Sequence, residues 1–475
     1  MIPLTLSEIA EAVGGTVVHD DGATVTGPAF LDSRVAERAG LFVAVAGEHV
    51  DGHDFADAAI EGGAAAVLSS RDTGHPGVVV DDVVRALADL ARHSLTVLRE
   101  EHGVHVVALT GSQGKTSTKD VLAQVLARAG ATVATFGSFN NELGLPLTVL
   151  RAEPSTRFLL LEMGARHVGD LAASCRIAPP QVSLVLNVGK AHIGEFGSQE
   201  GIARAKGELV EALPPADRGG VAVLNADDPL VTAMDARTSA RVTRFGAADD
   251  ADVRWGEVRL DDLDRATYTL TAGGETREVR LRLVGEHHVA NTAAAAATAL
   301  ALGLSLDDVA RALGEATATS PARMELVELP NGVTVLNDAY NANPDSMRAA
   351  LKSLAAIGRA RPKARTIAVL GEMLELGASS REEHDAVGRL VVRLDIHQLV
   401  VVGEGAKAIH LGACLEGSWG GESVFVPDPD AALAWLREHL AAGDVVLFKS
   451  SKAAQVRRVA DAVVADATAS EEYHR

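Results

Sequence analysis

Residues 105–130, HVVALTGSQGKTSTKDVLAQVLARAG, decide the fold of this chain. The stretch begins with a short apolar run typical of a buried strand, and it passes through a loop that contains Gly111 and Gly114. It continues as an amphipathic helical pattern that ends at Gly130. A buried strand, a glycine loop and a helix in this order are typical of a phosphate-binding loop. The stretch therefore predicts an α/β domain that binds a nucleotide.

Each residue type in this loop suits a phosphate group. The glycines let backbone N–H groups converge on phosphate oxygens, Lys115 supplies a positive charge, and Thr116 offers a hydroxyl to Mg2+. The spacing G-x-x-G-K-T is shorter than the general pattern, which has glycine where Leu109 stands, and an ordinary strand-to-helix turn is the alternative. The loop residues expected to hold the phosphates are Gly111, Ser112, Gln113, Gly114, Lys115, Thr116 and Ser117.

Apolar runs on either side of the loop divide the chain into three predicted domains. The central runs are near-continuous, as in strands buried on both faces of a parallel sheet, whereas residues 252–260 and 266–272 alternate as antiparallel strands do. A length of 475 residues agrees with several domains, because single cores stop growing near about 250–300 residues. We predict an α/β protein with domains 1–98, 99–318 and 319–475.

Composition excludes several classes of protein. With 47% hydrophobic and 23% charged residues, the chain falls outside the disordered class. A net charge of −20 disfavours binding to nucleic acid or to anionic membranes. The N-terminus is interpreted as a short amphipathic helix capped by Ser7 and not as a secretion signal, and no apolar run reaches the ~18 residues needed to span a membrane. We expect a cytoplasmic protein.

Two further strand ends carry side chains that suit a metal beside the phosphates. Glu162 and His192 each follow an apolar run, and side chains at the carboxyl ends of parallel strands face the ligand crevice. A carboxylate is a hard oxygen ligand of the kind Mg2+ prefers, while imidazole is a softer donor. A solvated glutamate and a hydrogen-bonded structural histidine are the alternatives.

Strings throughout the chain resemble those of one enzyme family, the Mur ligases, over nearly its whole length. Strings shared with the wider family are TGSQGKTSTK (110–119), EMGA (162–165), NVGKAHIGEFGS (187–198), AKGEL (205–209) and NADDP (225–229). Strings typical of the branch that adds D-alanyl-D-alanine are LDSR (31–34), GEHVDGHDF (47–55), FNNELGLPLTVL (139–150), NDAYNANPDSM (337–347) and LGEMLELGASSREEH (370–384).

The resemblance implies an ATP-dependent ligase of three domains: a UDP-substrate domain, a central ATP-binding domain and a Rossmann-like C-terminal domain that closes on ATP. In such an enzyme ATP phosphorylates the terminal carboxylate of a UDP-N-acetylmuramoyl-tripeptide, and the amine of D-alanyl-D-alanine attacks the acyl phosphate. This is a step of peptidoglycan synthesis. The implied cofactors are ATP and two Mg2+ ions, and the implied state is a monomer.

Catalytic roles carried over from the family fall on Lys115, Glu162, His192 and Lys206. Thr116, Glu162 and His192 would hold Mg2+, and Lys206, if carbamylated by CO2, would hold a second ion. Carbamylation needs a neutral amine and therefore a lowered pKa, which burial could supply. The alternative for Lys206 is a surface lysine in an i,i+4 pair on an ordinary helix.

The remaining implied site residues bind substrates. Those assigned to ATP are Asn291, Arg323, Asp338 and Tyr340, and those assigned to the other substrates are Ser33, Arg34, Asn140, Asn141, Asn341 and Asn343. Helix capping for Asn291, an Asx-turn for Asp338, turn formation for Asn341 and Asn343, and a solvated loop position for Arg34 are the alternatives.

Two rival functions remain open at this stage. One is a sister ligase that adds the third peptide residue or adds glutamate to folate, and the other is a nucleotide-binding module without catalysis. Four positions also depart from the family pattern: His288, Asn337, Ser450 and Lys452. We expect His288 to alter the geometry near the base without loss of activity, because its imidazole can donate and accept as an asparagine does.

Overall fold

The computed structural model describes residues 1–47, 50–190, 193–417 and 421–472. Its first part contains a five-stranded sheet and a small two-stranded sheet. The elements are β1 (Leu4–Thr5), α1 (Leu6–Val13), β2 (Thr16–Val18), β3 (Thr24–Val25), β4 (Ala29–Phe30), β5 (Leu41–Val43), α2 (Ala56–Glu61), β6 (Ala66–Ser69), β7 (Gly77–Val79) and α3 (Val83–His102). The five strands lie in the order β2-β7-β6-β5-β4, parallel except at β2.

Helix α1 is capped by Thr5, two residues before the predicted cap, Ser7. The Thr5 side chain accepts a hydrogen bond from Glu8 N, and the Glu8 carboxylate accepts one from Thr5 N. This reciprocal capping box fixes the first turn, so the prediction of Ser7 as the cap was wrong. Ser7 is the second residue of the helix.

The central part is built on a nine-stranded sheet. Its elements are β8 (His105–Thr110), α4 (Lys115–Ala127), β9 (Thr132–Ala134), α5 (Gly144–Val149), β10 (Phe158–Glu162), α6 (Asp170–Ile177), β11 (Val182–Val185), α7 (Ile193–Phe196), α8 (Gln199–Glu211), β12 (Val221–Asn225), α9 (Pro229–Thr232), β13 (Arg241–Gly246), β14 (Val253–Leu260), β15 (Arg265–Ala272), β16 (Glu275–Val284), α10 (His288–Ala301) and α11 (Leu306–Glu315).

These strands lie in the order β16-β15-β14-β13-β12-β11-β8-β10-β9. The pairs from β9 to β14 are parallel, and β14-β15-β16 is an antiparallel meander, which confirms the strand types predicted for both regions. On one face of the sheet, the apolar side of α4 packs against the alanine-rich helix α10. Alanine permits this close approach because it adds little side-chain bulk between the helix backbones.

The last part contains a six-stranded sheet in the order β17-β18-β22-β19-β20-β21, parallel except at β17. Its elements are β17 (Glu325–Glu328), β18 (Thr334–Asn337), α12 (Pro344–Ala360), β19 (Thr366–Leu370), α13 (Ser380–Arg393), β20 (Gln398–Val402), α14 (Lys407–Glu416), β21 (Ser423–Val426), α15 (Pro429–His439), β22 (Val445–Lys449) and α16 (Val456–Glu472).

The predicted α/β class is confirmed, since helices alternate with mostly parallel strands in all three large sheets. The predicted domain boundaries stay predictions, and the first of them, at 98/99, falls within α3. Among the helices that the structure describes, none is both long and apolar enough to cross a membrane.

Candidate active site

The phosphate loop, residues 111–114, follows β8 in the middle of the central sheet, between the neighbouring strands β10 and β11. Asn187, just after β11, braces the loop: its Oδ1 accepts hydrogen bonds of 3.0 Å from both Ser112 N and Gln113 N. The Ser112 hydroxyl in turn accepts a 2.9 Å bond from Gly189 N. The shape of the loop is therefore set by the segment that follows the adjacent strand.

The start of α4 is left available to an anion. In the described part of the chain no side chain caps this helix, so its first N–H groups keep their capacity to bind phosphate. Lys115 opens the helix and is half-buried, and its Nζ donates a 2.8 Å hydrogen bond to Gly111 O. Burial lowers the pKa of Lys115 and the charge of Arg323 lowers it further, while the Glu162 carboxylate raises it.

Arg323 reaches the loop from a distant part of the chain. Its Nη2 lies 3.3 Å from the hydroxyl oxygens of both Thr116 and Ser138, which are themselves 3.2 Å apart. The guanidinium also lies over the ring of Tyr340, 4.3 Å from the ring centroid, and this stacking fixes its plane. The contact places one cation and two hydroxyls at the start of the phosphate-loop helix.

Glu162 ends β10 and points a carboxylate into the same region. The side chain is 1% exposed, its Oε1 accepts a 2.7 Å hydrogen bond from Asn140 Nδ2, and its N–H donates to Thr135 Oγ1 at 3.0 Å. Its Oε2 is buried without a hydrogen-bond partner among the residues that the structure describes. A buried carboxylate oxygen left unpaired is costly, and a hard cation would satisfy it.

The described residues contain no cluster of three His, Cys, Asp or Glu side chains able to hold a metal by themselves. Glu162 and the Thr116 hydroxyl fit Mg2+ nevertheless, because this ion is usually bound by one or two carboxylates together with substrate phosphates and water. His192, the other predicted metal ligand, lies outside the described residues.

Lys206 is buried in α8, at 4% exposure, and the surface-lysine alternative is therefore wrong. Burial lowers its pKa well below the usual range, and the positive charge of Lys115 lowers it further. No hydrogen bond or ion pair of its ammonium group is found among residues 1–47, 50–190, 193–417 and 421–472. A lowered pKa favours the neutral amine, which is the form that reacts with CO2.

Asn291 lies against the phosphate loop from helix α10. It is 7% exposed and is the fourth residue of that helix, so the helix-capping alternative is wrong. A Cβ atom added to Gly114 would lie 2.5 Å from Asn291 Oδ1, and Gly114 has a φ of +78°. Glycine is required at this position both for the backbone angle and for the close approach of the asparagine.

Asp338 is held in a buried ion pair. Its Oδ2 lies 2.5 Å from Lys449 Nζ, and its Oδ1 accepts a 3.1 Å hydrogen bond from Met324 N. Lys449 also donates to Asn341 O at 3.1 Å. The partner of the carboxylate is far away in sequence, so the Asx-turn alternative does not describe Asp338. The pair fixes the segment that carries Tyr340 beside Arg323.

Several residues predicted to bind substrate use their side chains locally. Asn343 caps α12 by accepting a 2.9 Å hydrogen bond from Ser346 N. Asn341 Oδ1 accepts one from Ala342 N, and Asn141 Oδ1 accepts one from Gly144 N, also at 2.9 Å. In the first part of the chain, Arg34 is exposed and paired with Asp32 at 2.7 Å, beside the half-buried Ser33. Their substrate contacts stay predictions.

His288 is the departure from the family pattern that lies nearest the site. It is 3% exposed and its Nδ1 has no hydrogen-bond partner in the described chain. Burial lowers its pKa well below the usual value, and the neighbouring His287 lowers it further. Its imidazole is therefore neutral near pH 7, and it lines a cavity of about 260 Å³ together with Arg323 and Met324.

The other three departures are accommodated outside the phosphate loop. Asn337 Oδ1 accepts a 3.3 Å hydrogen bond from Ala339 N, and the buried Ser450 hydroxyl donates to Ser451 O at 3.0 Å. Lys452 is exposed. None of the three side chains makes a hydrogen bond to Lys115, Thr116 or Glu162 in the described residues.

Comparison with known proteins identifies the family. The Mur ligase middle domain matches residues 109–299, the Mur ligase glutamate ligase domain matches residues 322–452, and the Mur ligase family catalytic domain matches residues 30–95. The UDP-N-acetylmuramoyl-tripeptide–D-alanyl-D-alanine ligase of Mycobacterium tuberculosis is 49% identical, over 98% of this chain and 99% of that protein. The chain belongs to the Mur ligase family, in its MurF branch.

Other relatives agree with this Mur ligase assignment. The Escherichia coli ligase of the same name is 34% identical, over 98% of this chain and all of that protein. A crystal structure of MurF from Acinetobacter baumannii has a TM-score of 0.83 at 32% identity, covering 97% of this chain and 99% of that one. The Thermotoga maritima MurF structure, a complex with ADP, has a TM-score of 0.75 at 30% identity, covering 92% and 97%. The predicted family and the predicted ATP-dependent ligase class are confirmed.

The site of this Mur ligase also contains residues that the sequence did not single out. Asn187 braces the loop, Ser138 lies beside Thr116, and Lys449 pairs with Asp338. Asn187 stands in a string shared with the family, just after a predicted strand, and Ser138 precedes a string typical of the D-alanyl-D-alanine branch; these positions were the available signals. Lys449 gave no such signal, because a lysine that ends a strand is ordinarily exposed.

Proposed function

We propose that this protein joins D-alanyl-D-alanine to UDP-N-acetylmuramoyl-tripeptide, with conversion of ATP to ADP and phosphate, as a step of peptidoglycan synthesis. The observation that carries the proposal is the convergence of Lys115, Thr116, Glu162 and Arg323 at one phosphate loop. The strings typical of the D-alanyl-D-alanine branch and the names of the relatives support the choice of substrates.

The chemistry explains why such a loop is needed. A carboxylate is a poor electrophile, so the γ-phosphoryl group of ATP is first transferred to it, giving an acyl phosphate. The dipeptide amine then attacks the acyl carbon, a tetrahedral intermediate forms, and phosphate leaves. The positive charges of Lys115 and Arg323 stabilise the negative charge on the phosphoryl group during its transfer. The N–H groups at the start of α4 bind the oxygens of that phosphoryl group.

Exclusion of water is the second requirement, because an acyl phosphate hydrolyses easily. Contacts between the central and C-terminal parts support such shielding. Lys190 Nζ lies 2.7 Å from Glu383 Oε1, and Arg166 Nη2 lies 3.4 Å from Glu375 Oε1. These ion pairs join the C-terminal part to the segments that follow β10 and β11, and we expect this part to cover the reacting groups.

Glu162 and Thr116 would hold a Mg2+ ion, and a carbamate on Lys206 would hold a second. A bound ion would neutralise phosphate oxygens and make the phosphorus more electrophilic. The unpaired Oε2 of Glu162 supports the first site. The burial of Lys206, its lowered pKa and its lack of a partner in the described chain support the carbamate. Monomeric state and cytoplasmic location stay predictions.

The test of the function is phosphate release measured with ATP and each substrate alone and together. A ligase of this kind releases phosphate at a sustained rate only when both the UDP-tripeptide and D-alanyl-D-alanine are present. Parallel assays with the diaminopimelate and the lysine tripeptides identify the third residue. No release with any combination would favour a nucleotide-binding module, and release with an amino acid in place of the dipeptide would favour a sister ligase.

The carbamate has a test of its own. Lys206→Ala should lose most ligase activity and recover part of it in formate or acetate, because a small acid can occupy the space left by the carbamate. Lys407→Ala, which removes an exposed lysine paired with Glu404, is the matched control and should keep wild-type activity. Wild-type activity in Lys206→Ala would refute a metal-site role.

A further inference from the structure

Helix α4 carries a buried ion pair that the reaction scheme does not use. Lys119 is 3% exposed and Asp120 is 7% exposed, and Lys119 Nζ lies 2.6 Å from Asp120 Oδ1. Both residues lie within two turns of the start of the helix, behind Lys115 and Thr116. Charges of this kind are seldom buried unless they are fully paired, so each partner of the two groups is informative.

Lys119 binds the segment that follows β9. Its Nζ donates hydrogen bonds to Thr135 O at 2.8 Å and to Gly137 O at 3.3 Å. The two carbonyls belong to residues two apart, so the ammonium draws the backbone between them into a bend, and Gly137 has a φ of +52°. The next residue is Ser138, whose hydroxyl lies beside Thr116 and Arg323.

The same segment also orients Glu162. Thr135 Oγ1 accepts a hydrogen bond from Glu162 N, and Asn140 Nδ2 donates to Glu162 Oε1. Lys119 therefore anchors a stretch, residues 135–140, that contacts Glu162 at both of its ends and Thr116 in its middle. Between its two ends, which also make backbone hydrogen bonds to Leu160 O and from Gly164 N, the side chains of Phe136 and Phe139 are 77% and 53% exposed.

Asp120 binds the segment that leads to Arg323. Its Oδ2 accepts a 3.0 Å hydrogen bond from Ser320 N, three residues before Arg323. One turn later in α4, Gln124 Nε2 donates to Thr317 O at 2.9 Å, and Gln124 Oε1 accepts from Thr317 N at 3.1 Å. Helix α4 thus positions residues 317–320, which lead to Arg323, on one side and residues 135–140 on the other.

We infer that the Lys119–Asp120 pair is a positioning device for the ligase reaction: it holds Ser138 and Arg323 at the Thr116 hydroxyl from opposite sides. The inference rests on the proposed function. Both residues act through the segments that they bind. Loss of the ammonium frees the 135–140 segment, and a displacement of the reacting groups by about 1 Å is enough to lower a rate about 100-fold.

The test compares Lys119→Met with Val125→Ala, a buried substitution in the same helix that leaves both segments bound. Melting temperature, kcat for phosphate release and KM for ATP are measured for each. Lys119→Met should lose kcat about 100-fold with folded protein at the assay temperature, whereas Val125→Ala should lower the melting temperature and keep kcat. Where Lys119→Met does not fold, Lys119→Gln, which can still donate to one carbonyl, is used in its place.

A double-mutant cycle identifies the route of the effect. If Lys119 acts through Ser138, the loss in the Lys119→Met, Ser138→Ala double variant is smaller than the product of the two single losses. Losses that multiply would overturn the inference. A kcat of Lys119→Met that equals the wild-type value once corrected for the folded fraction, as expected for Val125→Ala, would overturn it as well. Turnover of the wild-type protein in the same assay tests the proposed function separately. If the wild type is inactive, the cycle is measured instead by the affinity of each variant for a non-hydrolysable ATP analogue.

Discussion

Removal of the charge of Asp338 should destabilise the C-terminal part of the protein more than any surface change. Asp338→Asn preserves the size of the side chain and the acceptor for Met324 N, so only the pairing with Lys449 is lost. The ammonium, 1% exposed, then keeps its contacts to the backbone oxygens of Asn341 at 3.1 Å and of residue 338 at 3.5 Å, but has no counter-ion among the residues that the structure describes. Breaking a buried ion pair by removing one partner costs about 3–5 kcal/mol.

The size of this loss translates into a measurable temperature. In a domain of about 150–250 residues, each kcal/mol shifts the melting temperature by about 2–4 °C, so the C-terminal transition should fall by about 6–20 °C in scanning calorimetry. Burial lowers the pKa of Lys449, which means that part of this loss is avoided by release of its proton. The shift should therefore be larger at pH 6 than at pH 9.

A second variant separates charge from packing. Lys449→Met combined with Asp338→Asn removes both charges and should regain most of the lost stability, because replacing a buried pair by uncharged groups is often neutral. If Asp338 contacts ATP, the single variant should bind ATP more weakly than the wild type, and the double variant should not recover that affinity. A melting temperature in Asp338→Asn equal to that of the wild type, or a double variant less stable than the single one, would refute the reasoning.

Three further changes have defined outcomes. Lys115→Ala should lower phosphate release at least about 100-fold with an unchanged circular dichroism spectrum, and turnover near wild type would remove this lysine from the mechanism. Arg323→Lys keeps the charge but loses the stacking on Tyr340 and the fixed geometry at Thr116, so kcat should fall about 100-fold; a Lys variant with wild-type kcat would contradict a geometric role. Burial lowers the pKa of His287 to about 4, so stability should fall as the pH drops from 6.5 towards 4, where the unfolded chain binds a proton that the folded chain excludes. His287→Gln should flatten that part of a stability profile measured by urea unfolding, and an identical slope would show that other groups cause the decline.

Local pattern was sufficient for the phosphate loop. The strand, the glycines and the helix of residues 105–130 are adjacent in sequence, and each is favoured by its own residues, so Lys115 and Thr116 could be predicted without tertiary information. Glu162 followed from the same logic, because a polar residue that ends an apolar run lies at the edge of a parallel sheet. Recognition of the family likewise needed only strings of neighbouring residues.

The local pattern failed where two roles share one residue type. Asparagine can cap a helix, form a turn or contact a ligand, and the sequence left these open for Asn291 and Asn343. The structure places Asn291 inside a helix against Gly114 and makes Asn343 a cap. For Lys206 the sequence likewise left two interpretations, a surface ion pair and a buried amine, because the composition of the helix around it is ordinary. The pKa of Lys206 depends on its burial, and its burial depends on which other elements pack against α8.

The sequence by itself determined the α/β class, the main buried strands and the residues of the loop, since these depend on interactions within a few residues. Only the tertiary structure decided what surrounds the loop. Arg323 meets Thr116 across 207 positions, and Lys449 meets Asp338 across 111. Lys119 and Asp120 are tied to Gly137 and Ser320 in the same way. Such contacts form because several segments fold onto one edge of the sheet, and a charge buried there is stable only with a partner. The partner comes from a distant segment, so the sequence around either residue does not reveal the contact.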